Sequence, residues 1–383
     1  MKIKLTPIFV AIILVAVILS GCNGTKESSN KTSDSNNAKV KKTDTQVNEL
    51  SVDEEKKAAK KKDPIRIVNT FEGTCMVQTQ LAYLLGFYEA EGLVEGEDYV
   101  FVDSGSETGA VLISTDKADL VTGLIAGMLQ PLDNGLEAKA VLGLHTGCIT
   151  LVTLGDSDIK SIADLKGKTI GVNQLSSSNH IAALRALHFE GMTADDVEFV
   201  VYDSDSIQQA LLNRAVDVIA LGDYKAKIME REEGVRIIFD TSTDERVKDE
   251  NCCVLFARTK IIEEDSERLA KILTAIQKAS IWISENTDLA AEIQIAQGYA
   301  LGELEVNKKL LRTYQFPTSL TSLREAIYRN FKDAKVLGLL KEDTDETQLA
   351  ENSYVFVEGV ADGLDITNIQ APKDPYQFIK KDN

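Results

Sequence analysis

The chain has 383 residues, with 42 basic and 60 acidic side chains, three His and five Cys. That length is enough for two or three domains. A content of 44% hydrophobic and 27% charged residues is that of an ordinary globular protein with a sizeable core. The formal charge of −18 argues against a general nucleic-acid binder, whose affinity rests on neutralising phosphates with Lys and Arg. It leaves an anionic small ligand open, because a local site can oppose the global field. Five Cys are too few for a disulfide scaffold at this size.

Lys2 and Lys4 precede an apolar run from Pro7 to Leu19. The run is shorter than the ~20 residues that span a bilayer and has the shape of a signal-peptide core. It closes in Leu19-Ser20-Gly21-Cys22, which resembles the bacterial lipobox. That resemblance implies a signal peptide over 1–21, cleavage before Cys22 and a diacylglycerol on its thiol. The mature protein is then lipid-anchored on the extracytoplasmic face of the cell membrane. Residues 22–64 are expected to be the lipidated Cys and a disordered tether. From 23 to 64 there are ten Lys, eight acids and no aromatic residue, too little apolar surface to fold. The remainder, 65–383, holds 30 basic and 52 acidic residues.

That remainder alternates between periods of two and 3.6. A β-branched run at 65–70 is followed by a helical pattern from Cys75 to Glu91, with Val77, Leu81, Leu84 and Leu85 on one face. Strands follow at 99–102, 119–122 and 138–144, separated by helices at 108–118 and 124–132. The rhythm restarts with strands at 149–154, up to Val172, at 199–202, 216–221 and 235–239. Its helices run from Ser176 to about Glu190, over 206–213 and from Tyr224. One more strand, 252–257, precedes amphipathic helices at 266–285, 289–297, 303–313 and 320–337. Such a βαβα order predicts parallel sheets covered on both faces.

Asp164-Leu165-Lys166-Gly167-Lys168-Thr169-Ile170-Gly171-Val172, followed by a Ser-rich helix start, resembles the solute-binding proteins of ABC importers. It is most similar to the nitrate/sulfonate/taurine and thiamine-pyrimidine-precursor branch. The resemblance covers roughly 65–360. It implies an α/β protein of the type 2 periplasmic-binding-protein fold: two lobes joined by two hinge-crossing strands, with a helical C-terminal third. By that pattern lobe 1 is 65–147 plus 254–370, lobe 2 is 148–251, and 371–383 is a tail. It also implies a monomer with no cofactor. Its partners would be a small-molecule ligand, an ABC permease with its ATPase, and the membrane through the lipid on Cys22, with no nucleic acid.

Ligands of open α/β sheets bind beyond the carboxyl ends of strands, where loops feed helix N-termini. Those segments supply the expected ligand-binding set. Phe71, Glu72, Gly73, Thr74 and Cys75 follow the first strand, with Thr74 as a helix cap. Gly105 and Ser106 follow the second, and Thr122 and Gly123 the third. Ser176, Ser177, Ser178 and Asn179 head the first full helix of lobe 2, where hydroxyls and free N–H groups suit a polar or anionic group. Asp223 and Tyr224 follow a later strand. His145, Thr146 and Cys148 fall where the chain first crosses between lobes, and Cys252 where it crosses back.

Three readings of the cysteines stay open: buried small hydrophobes, a disulfide of Cys148 with Cys252 or Cys253, or ligation of a soft metal or thiophilic ligand by Cys75, Cys148, Cys252 and His145. The spacing matches no zinc-ribbon pattern, and no metal is assigned. Adjacent Cys252 and Cys253 should face opposite ways on a strand. Cys148, three residues from His145 on an extended stretch, makes a poor Cys–His pair, and Cys75 pairs with His145 only if the fold joins them. The balance of these features favours a binding protein for a small organic solute (sulfonate, nitrate or a pyrimidine-like heterocycle) over an enzyme. A ligand-sensing receptor module is the alternative use of the same clamp.

Overall fold

In the computed structural model, residues 62–69, 73–105 and 107–379 are described. Cys22, the signal peptide, most of the tether, Phe71, Glu72 and Ser106 lie outside the described residues. Among the described residues, ten strands form two five-stranded sheets. The strands are β1 (Ile65–Asn69), β2 (Tyr99–Asp103), β3 (Leu120–Leu124), β4 (Ala138–Thr146), β5 (Ile149–Leu154), β6 (Thr169–Val172), β7 (Glu198–Val201), β8 (Val218–Gly222), β9 (Val235–Asp240) and β10 (Asn251–Arg258). The first sheet has the order β2-β1-β3-β10-β4 and the second β7-β6-β8-β5-β9.

Neither sheet is purely parallel, which corrects the expectation from the βαβα rhythm. β10 runs antiparallel to β3 and β4 in the first sheet. β5 runs antiparallel to β8 and β9 in the second. Both strands lie just after a crossing. The chain passes from β4 to β5 through only Gly147 and Cys148, and returns from β9 to β10 through 241–250. A strand entering a sheet from the far side arrives reversed, so a period-two pattern alone does not reveal its direction.

Each sheet is covered on both faces. Along β10, Leu255 and Ala257 join a core with Leu142, Leu144, Leu273, Ile276 and Trp282. Val254 and Phe256 point the other way, against Val121, Leu323, Ile327 and Phe331. The helix Ser266–Glu285 supplies the first of these layers because its apolar residues recur at 269, 272, 273, 276 and 283, the stripe of a 3.6-residue period. Burying one such Leu or Ile contributes about 1.5–3 kcal/mol. The second sheet is lined by Leu151, Ile170, Val218 and Leu187 on one side and by Val152, Ile219, Leu211 and Met229 on the other.

The helical pattern at 75–91 is two helices, Gln78–Leu84 and Phe87–Ala90. Gly86 separates them at φ 83°, a left-handed turn that glycine adopts without a Cβ clash. Among the described residues no helix is long and apolar enough to cross a membrane.

Candidate functional site

A cleft of about 470 Å³ lies where the two sheets' loops converge. From the second sheet it receives Asn173 after β6, Ser204 after β7, Asn179 from the helix Ser178–Phe189, and Asp223, Tyr224 and Lys225 after β8. All three strands point their carboxyl ends at it, as ligand sites in open α/β sheets do. The opposite wall is Gly73, Thr74 and Cys75 after β1, with Leu301 and Tyr314 from the C-terminal helical region.

The second-sheet wall is rich in donors. Asn179 Nδ2 donates to Asn173 Oδ1 at 3.0 Å, and Asn173 Nδ2 donates to Ser204 Oγ at 3.4 Å. Lys225 makes no ion pair among the described residues. The facing wall is more apolar, and its Tyr314 hydroxyl reaches across the cleft to donate to Asp223 Oδ2. Burial and the neighbouring Cys75 charge push the Asp223 carboxyl up to about 8, against the lowering effect of that hydrogen bond. A carboxyl held there is mostly neutral at pH 7, so it detracts little from the positive field of Lys225.

Beneath the cleft floor lies a second cluster. Donor atoms of Cys75, His145, Cys148 and Cys253 all sit within 4.8 Å of one another. Cys148 Sγ is 3.8 Å from His145 Nε2, 3.6 Å from Cys253 Sγ and 3.2 Å from Cys252 Sγ. The four described cysteines are free. Hydrogen bonds from Cys148 and Cys253, reinforced by the His145 charge, hold the Cys75 thiol well below its ordinary value despite burial. Burial opposes protonation of His145, but the Cys75 charge and hydrogen bond outweigh it and raise the imidazole to about 9. Burial, followed by hydrogen bonding with Cys252, pushes Cys148 up, so it is held as a thiol. The fold therefore does join Cys75 to His145.

Two local features build this cluster against the expectations from sequence. Gly147 at φ 81° and Cys148 at φ 135° reverse the chain, so Cys148 reaches back to His145 instead of leading away on an extended strand. Positive φ at a residue with a Cβ is strained, and such strain persists where the surroundings over-determine it. The register of β10 against β4 slips on either side of Cys253. A bulge of this kind cancels the alternation of side chains, and both Cys252 and Cys253 bring their sulfurs to Cys148.

The remaining expected residues are distributed as follows. Thr74 does not cap a helix: the helix starts at Gln78, and the Thr74 hydroxyl is paired with Asn307 Oδ1. Thr122 and Gly123 lie inside β3, opposite Leu255 and Val254, rather than in the turn after it. Gly105 follows the edge strand β2 and does not line the cleft. Ser177 is the helix N-cap, its Oγ accepting from His180 N–H. Ser176 donates its N–H to His180 Nδ1. Ser178 and Cys252 line a separate small cavity with Arg185 and Glu250. Thr146 is buried and exchanges hydrogen bonds with the Gln315 backbone. Of the serine-rich stretch only Asn179 faces the main cleft. Asn173, Ser204 and Tyr314 went unnoticed in the sequence. The first two follow strands that the periodicity located, and that position was the available signal; nothing near Tyr314 marks it.

The family model described as NMT1/THI5 like matches residues 77–290. The chain belongs to the NMT1/THI5-like family. A Brucella abortus (strain 2308) protein, named provisionally as a binding protein, is 27% identical to this NMT1/THI5-like chain over 282 residues, 72% of this chain and 82% of its own. Among solved structures, the periplasmic aliphatic sulphonate binding protein SsuA from Escherichia coli superposes with TM-score 0.63. It is 16% identical, covering 82% of this chain and 99% of its own. The desulfurization enzyme DSZB superposes with TM-score 0.52 at 16% identity, covering 76% and 99%. The fold is therefore the one used by periplasmic binding proteins, and an enzyme shares it, so function has to be argued from the site.

Proposed function

We propose that this protein is an extracytoplasmic solute-binding lipoprotein of an ABC importer, with a small organic sulfonate or a similar anion as its solute. The observation that carries the reading is the asymmetry of the cleft. Asn173, Asn179, Ser204 and Lys225 offer donors on one wall, Lys225 with no ion pair among the described residues, while Leu301, Tyr314 and the Tyr224 ring offer apolar surface. An anionic head fits the first wall and an organic tail the second, within a volume typical of small-molecule sites. The names of the Brucella relative and of SsuA agree with capture.

In this reading the solute contacts both lobes and shifts the open clamp toward the closed one. The loaded protein then docks on a permease that works with an ATPase. Cys22 carries the lipid, the segment to residue 64 spaces the domain from the membrane, and the protein acts as a monomer. No catalytic step is assigned. The Cys75 sulfur lies within 4.8 Å of the Cys148 and Cys253 sulfurs and of the His145 ring nitrogen, which favours a structural or ligating thiol over one presented to a substrate.

The test is titration calorimetry of the full chain with alkanesulfonates, taurine, nitrate and pyrimidine precursors. A sulfonate should bind at one site, and Lys225→Ala should weaken it by roughly tenfold or more, the loss of one charge-assisted hydrogen bond. No binding by any sulfonate, or an unchanged affinity in Lys225→Ala, overturns the assignment. Anchoring is checked separately, by membrane fractionation of the wild type against Cys22→Ala.

A further inference from the structure

We infer that Cys75, His145, Cys148 and Cys253 form a closed, structural site for one soft d10 cation of the Zn2+ type, set beneath the cleft where the chain crosses between its two sheets. The four donors come from four separate places: the loop after β1, the end of β4, the first crossing and the start of β10. Zinc–sulfur distances of about 2.3 Å and zinc–nitrogen distances of about 2.0–2.1 Å place tetrahedral donors roughly 3.5–3.8 Å apart. The Cys148–Cys253 and Cys148–His145 separations, 3.6 and 3.8 Å, already have that spacing. The longest donor separation is 4.8 Å, so closing the tetrahedron takes a shift of about 1 Å.

The histidine is oriented as a ligand would be. Its Nδ1 lies 2.9 Å from the Thr146 carbonyl oxygen, which only accepts, so Nδ1 keeps its proton and Nε2 is the nitrogen that faces the sulfurs, ready to bind a cation once its own proton leaves. Metal-binding histidines are held by this kind of outer contact. His145 and Cys253 are fully buried, and Cys148 nearly so. The rings of Tyr314 and Phe316 pack against the imidazole at 5.0 and 6.5 Å. Four protein donors leave no open position, which is the pattern of structural rather than catalytic zinc. The backbone supports the same reading. The strained φ at Cys148 and the bulge at Cys253 each turn a sulfur inward that a regular strand would have turned away.

Binding releases the Cys148 and Cys253 thiol protons and the Nε2 proton of the His145 imidazolium to solvent, and leaves three thiolates and a neutral imidazole on the cation. The site does not depend on which solute occupies the cleft, so it stands or falls separately from the proposal above.

The experiment uses the full chain carrying Cys22→Ala, reduced and stripped of metal, titrated first with Co2+ and then with Zn2+. One equivalent of Co2+ should give the visible bands of a tetrahedral centre and near-ultraviolet thiolate charge transfer, and one equivalent of Zn2+ should abolish both. Cys148→Ser and Cys253→Ser should each weaken Zn2+ by more than about 100-fold, beyond the loss typical of an outer-shell partner. Cys252→Ser should retain the affinity. Should the serine variants fail to fold, alkylation of the unmutated thiols followed by mass spectrometry decides the matter: Zn2+ should protect Cys75, Cys148 and Cys253 and leave Cys252 reactive. Absence of stoichiometric binding overturns the inference. So does binding that survives Cys148→Ser, or protection that falls on Cys252 in place of Cys253.

Discussion

Arg185 and Arg231 both tie a second-sheet helix to the C-terminal helices, but under opposite physical conditions. Arg185, on the helix Ser178–Phe189, donates to Asp333 at 2.8 Å and to Glu250 at 2.9 and 3.0 Å. All three side chains are at most 15% exposed. Arg231, on the helix Asp223–Glu232, pairs with Glu303 at 2.6 Å, and both are about half exposed. Beside it the Tyr224 hydroxyl accepts from the Glu303 N–H at 2.9 Å. A buried ion cluster must stay paired, because an unpaired buried charge is costly. An exposed pair exchanges its partner for water at little cost. In the solute-binding reading proposed above, the Arg185 cluster is the brace that holds while the clamp opens, and the Arg231–Glu303 contact is the latch that releases. Burial keeps the Glu250 carboxyl above its ordinary value even with two arginines on it, as expected where desolvation offsets much of the attraction.

The largest test of that contrast is Arg185→Ala. It leaves Asp333 without its buried partner and Glu250 with Arg329 alone, and should cost about 3–5 kcal/mol, read as a lower denaturation midpoint at constant m-value. A change below 1 kcal/mol would remove the distinction between brace and latch. Gly302→Ala comes next. Gly302 has φ 87°, and a Cβ there would lie 1.8 Å from the Tyr224 hydroxyl oxygen. The backbone alone adds about 1–2 kcal/mol, and the clash should push Tyr224 away from Glu303. Solute affinity should fall and small-angle scattering should report a larger radius; an unchanged radius would show that Tyr224 does not govern closure. Glu303→Ala should change stability by less than about 1 kcal/mol while still enlarging the unliganded particle.

The smallest effect is remote from both contacts and serves as their control. Asp362 accepts from Thr321 N–H, Thr321 Oγ1 and Ser319 Oγ at the start of the helix Leu320–Val336. Those bonds lower its carboxyl to about 2. A depressed folded-state value contributes stability above the unfolded value near 4 that is lost as pH falls toward 2. Asp362→Asn should therefore lower the melting temperature slightly at pH 7 and flatten its decline below pH 4. Solute affinity should stay the same.

The strands and long helices were legible because each is written in neighbouring residues. Leu269, Ile272, Leu273 and Ile276 announce a helix face, and Val254 to Ala257 a strand, wherever they end up. The break at Gly86 was not legible in the sequence, where 75–91 reads as one helical pattern, since a lone glycine inside such a pattern is often tolerated. The cleft was legible only as a set of strand ends. That rule picked out Gly73, Cys75, Asn179, Asp223 and Tyr224, which line it, along with Thr122 and Gly123, which do not. The third strand runs two residues further than its apolar pattern shows because β10 pairs with it there, and no local signal records that partner.

Taken alone, the sequence determined the alternation of elements, the acidic balance of the region from residue 65 onward, and the expectation of two lobes and a lipid-bearing Cys22. The first two follow from composition and from periods of two and 3.6, which depend on residues a few positions apart; the two lobes and the lipid on Cys22 are what the resemblances at 164–172 and 19–22 imply. Tertiary structure alone decided that β5 and β10 run antiparallel, that Tyr314 from the C-terminal region closes the cleft over Asp223, and that Cys75, His145, Cys148 and Cys253 share one buried volume. Those residues span positions 75 to 253. Their meeting depends on strand order, on a positive φ at Cys148 and on a bulge at Cys253. Each of these is settled by long-range pairing that no local period encodes.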